Sequence, residues 1–331
     1  MDHFRALVAD NNGTPEQPKL MIRSLTAADL PEGEVTIRVA YSSVNYKDGM
    51  VGILGRMVKS YPHIPGIDLS GTVTESSDSR YRPGDQVIVT SYGLGVTHDG
   101  GYSELARVPA SWVVPLPIGL TLREAMILGT AGFTAALSVQ RLEDNGLAPG
   151  KGPVVVAGAS GGVGSIAVNI LAKRGYVVTA STGRLSEEAY LKGLGAAHVI
   201  HRDELTESEH KPIRRPQWAA AVDPVGGKTL QYLLSSLQYG GSVATSGLTG
   251  GVEVATSVYP FILRGVNWLG IDSVECPMEL RSRVWERLAT DLKPTMLSNT
   301  IVNEIRLEQL PEELARILQG QVRGRTIVKL G

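Results

Sequence analysis

Apolar and polar side chains alternate along EVTIRVAYSSVNY, residues 34–46, which predicts a β-strand with one face buried. The Pro-Gly-Asp of RPGDQVIVT, residues 82–90, predicts a tight turn leading into another strand. Residues 1–127 read mainly as strands separated by Gly/Pro turns. The period changes at LREAMILGTAGFTAALSVQRL, residues 122–142, where apolar residues recur at helical spacing. Gly129 and Gly132 in that helix leave room for another backbone to pack closely. Beyond it, strand-like runs (PVVVAGA, YVVTAS, HVIHR, WAAAVDPVGG, GSVATSGL) alternate with helix-like ones (VGSIAVNILAKRG, EEAYLKGLGA, LQYLLSSL). That alternation predicts βαβ units on a parallel sheet, an α/β fold. VNWLGIDSV, the amphipathic MELRSRVWERLATDL, LEQLPEELARILQGQ and a last strand RTIVKLG follow, and the last segment is expected to return to the first domain.

The expected organisation is a β-rich domain from residues 1–127 and 295–331 and a domain of βαβ units from 128–294. A chain of 331 residues is long enough for two separate cores. Its formal net charge of -1 gives no electrostatic preference for nucleic acid or an anionic membrane, and neither partner is expected. No apolar run approaches the ~20 residues of a membrane span, and the start has no leader-like apolar core, so a cytoplasmic protein is expected. Cys276 is the only cysteine, which rules out an internal disulfide. The basic stretch HKPIRRP, residues 210–216, reads as a solvated loop.

Gly161, Gly162 and Gly164 lie between the apolar run Val154–Val156 and a helix opening near Val163. Glycines there let phosphates approach the free N–H groups and positive dipole end of a helix. The pattern departs from G-x-G-x-x-G, because Ala159 holds the first glycine position and Gly158 precedes it. The strand before, the helix after and a second strand about 20 residues on make it a dinucleotide site. Where a carboxylate would accept the ribose 2′-OH of NAD, the chain reads Ser181-Thr182-Gly183-Arg184. Small residues with a planar cationic fork suit a 2′-phosphate, so NADPH is expected over NADH. Arg202, after the third strand, faces the adenine or its phosphate, or else is a surface charge. One cysteine and six scattered histidines, His63, His98, His198 and His201 among them, supply no recognisable zinc-ligand spacing, and no metal is expected.

SVNYKDG (43–49), PGIDLSGTV (65–73), RPGDQV (82–87), GTAGFTAAL (129–137), ASGGVG (159–164), DPVGG (223–227) and GRTIVKL (324–330), in this order, resemble the medium-chain dehydrogenase/reductase superfamily. The resemblance runs nearly end to end, and the chain is similar to the zinc-free group of acryloyl-CoA reductases and quinone oxidoreductases. Where zinc-dependent members carry a Cys before an Asp, this chain reads Asn45-Tyr46-Lys47-Asp48; where they have Gly-His-Glu, it reads Gly66-Ile67-Asp68. The resemblance implies a GroES-like catalytic domain beside the Rossmann domain. It also implies NADP held by Tyr46, Ser160, Gly161, Gly162, Val163, Thr182, Gly183, Arg184, Arg202, Leu248, Ile262, Ser273 and Arg325, with Arg325 reaching the pyrophosphate.

The activity expected is reduction of a carbon–carbon double bond conjugated to a carbonyl, because hydride arriving at the β-carbon leaves charge that delocalises as an enolate. The resemblance names a short 2-enoyl-CoA such as acryloyl-CoA. Tyr46 is the candidate proton source or oxyanion donor, or else it packs against nicotinamide. Asn45 either orients cofactor or substrate or caps a helix, and Asp48 reads as a cap. Asp68 belongs either to the active site or to a structural turn. Arg56 and Lys59 are loop cations that would attract an acidic substrate. Quinone reduction at the same nicotinamide site is the alternative enzyme reading, and a non-catalytic NADPH-binding regulator is the alternative of another class. The apolar VNWLGIDS, residues 266–273, suits an edge strand that pairs two copies, so a homodimer is expected.

Overall fold

The computed structural model describes residues 3–11, 17–206, 211–297 and 302–331; His210, at the start of the basic stretch, lies outside them. The chain forms two units. The first takes Met1–Thr130, Val274–Ala289 and Val302–Gly331; the second takes Ala131–Ser273 and Thr290–Ile301.

In the first unit, β1 (His3–Asp10) and β2 (Lys19–Thr26) form an antiparallel pair. β3 (Val35–Val44) is followed by the short α1 (Tyr46–Gly52), then β4 (Asp68–Ser76), β5 (Gln86–Thr90), β6 (Leu105–Val108) and β7 (Val113–Pro115). Late in the sequence, α7 (Met278–Ala289), β14 (Val302–Arg306), α8 (Leu310–Leu318) and β15 (Arg325–Lys329) join them. The sheet order is β14-β15-β3-β4-β5-β7, with β6 also paired to β3. β15 lies antiparallel to β3, placing Thr326 opposite Val44, one residue before the turn into α1. The alternation read along residues 34–46 is β3, whose inner residues Val35, Ile37 and Val39 are buried with Val87, Val89 and Val328.

The second unit holds β8 (Val154–Val156), α3 (Gly162–Lys173), β9 (Val178–Thr182), α4 (Glu188–Gly193), β10 (His198–His201), β11 (Trp218–Asp223), α5 (Gly227–Ser236), β12 (Leu237–Thr245), α6 (Tyr259–Arg264) and β13 (Asn267–Gly270). Its six strands run parallel in the order β10-β9-β8-β11-β12-β13. Strand order reverses between β8 and β11, and in such sheets ligands bind at the carboxyl ends beside that reversal. β8 is fully buried, as a central strand covered on both faces must be. Arg214 of the basic stretch packs its guanidinium 4.9 Å from the centre of the Tyr232 ring instead of standing free in solvent.

The helix predicted over 122–142 exists as α2 (Leu122–Asp144), but it breaks at Gly129, whose φ of 51° and ψ of -157° no helix accommodates. No helix among the described residues is long and apolar enough to cross a membrane.

Candidate cofactor and active-site residues

The glycine turn of the second unit is built for close approach. Gly158 has φ +55°, and a Cβ at Gly164 would stand 2.4 Å from the Gly158 carbonyl oxygen, so α3 packs directly on the turn. Ala159, the departure from the usual glycine, is fully buried and donates its N–H to Ser181 O at 2.9 Å. Gly161 caps α3, and Gly162 and Val163 open it with half-exposed backbone whose first N–H groups lack helical partners.

Beside this turn the structure brings together three of the expected ligands. Ser160 Oγ lies 3.1 Å from Thr182 Oγ1. The Arg184 guanidinium donates from Nη2 to Ser160 Oγ at 3.2 Å, and the Arg184 backbone N–H donates to Thr182 Oγ1 at 3.1 Å. Arg202 arrives from the end of β10 and lies over Gly183, where a Cβ would meet its side chain at 3.0 Å. One guanidinium thus lies on Gly183 and another on Ser160, near the carboxyl ends of β9 and β10. Leu248 follows β12, Ser273 follows β13, and Ile262 lies on α6; Leu248 and Ile262 are exposed. A cleft of about 750 Å³ lined by Pro153, Val177, Lys192, His198 and Trp218 is at the amino ends of the strands, away from this chemistry.

Asp223, in the DPVGG turn at the end of β11, is a titratable group that the sequence reading passed over. It is fully buried and accepts the N–H groups of Val225 at 2.9 Å and Gly226 at 3.1 Å; burial pushes its carboxyl up to about 6 against those bonds. A lone Asp before Pro-Val-Gly-Gly signals a turn, and only the fold shows that it is buried.

The first unit holds a buried polar cluster around the start of α1. Asp48, in the first turn of α1, accepts the Asn45 N–H at 2.8 Å and the Ile67 N–H at 2.9 Å, which is the cap role read from sequence. Asp68, at the start of β4, accepts from Ser43 Oγ at 2.6 Å, Asn45 Nδ2 at 2.8 Å, Thr130 N at 2.9 Å and Thr130 Oγ1 at 2.5 Å. Gly129 lies against this cluster: a Cβ there would come within 2.6 Å of Asp68 Oδ2, 2.7 Å of Ser43 Oγ and 2.8 Å of Arg325 Nη2. Polar side chains, more than a neighbouring backbone, are what this glycine makes room for.

Arg325 is placed differently from the expectation that its side chain reaches a pyrophosphate. It is 2% exposed and donates to Ile127 O and Val44 O at 2.9 Å, Ser43 Oγ at 2.8 Å and Asn45 Oδ1 at 3.2 Å. Four of the five guanidinium N–H groups are thus committed inside the first unit. Its nearest approach to Asp68 is 4.0 Å, and the Ser43 hydroxyl bridges the two by accepting from one and donating to the other.

Asn45 is also internal. Its amide spans Asp68 and Arg325, which leaves it little capacity to orient a ligand. Tyr46, at 39% exposure, is the group that this cluster presents at a surface. Burial, with Asp68 as the second cause, pushes the Asp48 carboxyl up to about 7. Burial and the neighbouring Asp48 hold the Tyr102 phenol well above its ordinary range, and burial draws Arg325 down despite Asp68 and Asp48. Among the described residues no three His, Cys, Asp or Glu side chains are grouped as metal ligands.

Comparison with known proteins places this geometry. Residues 31–118 match the Alcohol dehydrogenase GroES-like domain family and residues 162–290 the Zinc-binding dehydrogenase family. The Bacillus subtilis protein YhfP, provisionally named a quinone oxidoreductase, is 56% identical over 99% of each chain. The chain belongs to the zinc-free group of the medium-chain dehydrogenase/reductase family. Another relative, the acrylyl-CoA reductase AcuI of Ruegeria pomeroyi, is 51% identical over 98% of each chain. The crystal structure of YhfP with NAD bound matches this medium-chain oxidoreductase with a TM-score of 0.96 over all of both chains. The YhdH oxidoreductase of Salmonella enterica in complex with NADP matches with a TM-score of 0.95 at 45% identity, covering 99% of this chain and 100% of that one. The α/β fold with a GroES-like and a Rossmann-type unit is thus that of the family, as the motifs implied.

Proposed function

We propose that this medium-chain reductase uses NADPH to reduce the carbon–carbon double bond of a short 2-enoyl thioester, with acryloyl-CoA as substrate. The observation that carries the cofactor half is the Arg184–Ser160–Thr182 group with Arg202 over Gly183. Cationic donors beside a glycine turn and a helix N-terminus fit a dinucleotide bearing an extra phosphate. Ser160, Gly161, Gly162, Val163, Thr182, Gly183, Arg184 and Arg202 would hold it, with Leu248, Ile262 and Ser273 further along the same unit. NADPH, when bound, supplies a hydride to the substrate β-carbon.

The chain's own contribution is to stabilise the charge that then develops on the thioester oxygen and to return a proton to the α-carbon. Tyr46 has the right chemistry: a phenol on the first residue of α1, 39% exposed, next to Asn45, which Asp48 and Asp68 hold in place. The identity of AcuI supports the substrate class. The name of YhfP, and that of the Lama guanicoe quinone oxidoreductase at 29% identity over 76% of this chain, support a quinone as the competing acceptor.

Steady-state NADPH oxidation with acryloyl-CoA, set against a soluble quinone, decides between the two. Turnover of acryloyl-CoA is expected; a protein that reduces only the quinone, or neither, overturns the reading. The working form is proposed to be a cytoplasmic homodimer paired through β13, which has β12 on one side and no strand on the other among the described residues.

A further inference from the structure

We infer that Asp68 is a positioning residue for Tyr46, a role that rests on the activity proposed above. An ionised carboxylate has about four lone-pair sites. Asp68 has four donors on it, from Ser43, Asn45 and both the N–H and hydroxyl of Thr130, and it is fully buried. With no exposed surface and four donors already on it, Asp68 acts through what it holds.

Two chain segments meet there. One is the end of β3 with Ser43 and Asn45, the latter joined covalently to Tyr46. The other is Thr130, the residue after the Gly129 break in α2. Asn45 is fixed at both ends of its amide, by Asp68 at Nδ2 and Arg325 at Oδ1, so the residue from which α1 starts has one orientation. On the Thr130 side the chain of hydroxyls continues to Ser91 Oγ at 3.0 Å, on a residue with φ +64°. Ser91 and Tyr92 are consecutive non-glycine residues in the left-handed region, a costly conformation held by its surroundings. Arg281, fully buried on α7, supplies that support by donating to Thr90 O at 3.1 Å and Tyr92 Oη at 3.1 Å.

Three of the four groups donate to Asp68 Oδ2 and the Thr130 hydroxyl alone to Oδ1, so an amide that keeps the three bonds must turn that hydroxyl from donor to acceptor. Asp68→Asn therefore does more than remove a charge: it places a donor where an acceptor stood and releases the start of α1. Thr130→Val deletes only the hydroxyl donor at nearly constant volume, and Thr130→Ser restores it.

The test pairs amide hydrogen exchange across residues 45–52 with turnover of acryloyl-CoA by NADPH, for wild type, Asp68→Asn, Thr130→Val and Thr130→Ser. Asp68→Asn and Thr130→Val are expected to lose tenfold or more in both α1 protection and kcat. KM for NADPH should stay within twofold, and Thr130→Ser should recover both losses. Wild-type protection and kcat in the two damaged variants, or a fallen kcat with α1 protection intact, would overturn the inference. Should Asp68→Asn fail to fold, the Thr130 pair decides. Should the wild type not turn over acryloyl-CoA, the substrate reading fails, while the exchange data still report whether Asp68 sets α1.

Discussion

Gly183 lies beneath Arg202: a methyl group on its Cα would stand 3.0 Å from Cδ and Nε of the arginine. The absence of a side chain just after β9 is thus what lets the Arg202 guanidinium lie over the chain there. Gly183→Ala is expected to push Arg202 outward, and Arg184→Ala to remove the other cation. Each should raise KM for NADPH about ten- to a hundredfold, the scale of a charge-assisted hydrogen bond at ~1.5–3 kcal/mol. NADH should be little affected. Equal changes with both coenzymes would show that neither arginine reads the phosphate.

Tyr46→Phe keeps the ring and loses the hydroxyl. If the phenol donates to substrate, kcat should fall roughly a hundredfold or more while NADPH binding, followed by nicotinamide fluorescence, stays put. A variant that turns over normally once saturated, but binds NADPH weakly, would assign Tyr46 to cofactor packing.

Acid should stabilise the protein over a defined window. Asp48 faces Asp68, Tyr102 and Arg325, and burial with the Asp68 charge brings its carboxyl to about 7. The folded chain keeps a proton there that the unfolded chain releases near pH 4, so this contribution is full below about pH 4 and is lost as pH rises through 7. Between pH 8 and 6, unfolding free energy from urea titrations should rise by about 1 kcal/mol. Asp223, raised to about 6, adds a contribution of the same sign at lower pH. Asp48→Asn should flatten the upper part of the curve; identical slopes in variant and wild type would clear Asp48 of the effect.

Trp268, on β13, is 44% exposed, and Ile262 and Leu263 on the preceding α6 are more so. An edge with no further strand among the described residues and this much apolar surface suits a second copy of the chain. Light scattering is expected to give the mass of a dimer, and Trp268→Glu that of a monomer. A monomeric wild type would remove the proposal.

Much of the second unit was legible because its signals are local. Short apolar runs, a glycine turn between strand and helix, and Arg184 two residues after β9 all declare themselves within a few residues. The first unit's chemistry is assembled from distant positions, and there the pattern misleads. The helical period runs straight through Gly129, and only the fold shows Ser43, Asp68 and Arg325 occupying the space where its side chain would be. Arg281 occupies a helix whose charged residues read as its wet face, yet it is fully buried against Thr90 and Tyr92, with its guanidinium 4.3 Å from the Tyr92 ring centre. Arg325, flanking the last strand, looks available to a ligand until the four oxygens that claim it are seen.

Arg325 and Ser43 are 282 positions apart in the chain, whereas most of the second unit is one continuous stretch. During synthesis that stretch emerges and can organise early, as contiguous units do. The carboxylate at Asp68 must wait for its guanidinium until nearly everything else has been made. The interior that supports Tyr46 is therefore among the last to close, and a chain truncated shortly before Arg325 would pair a well-formed coenzyme-binding half with an unfinished catalytic one.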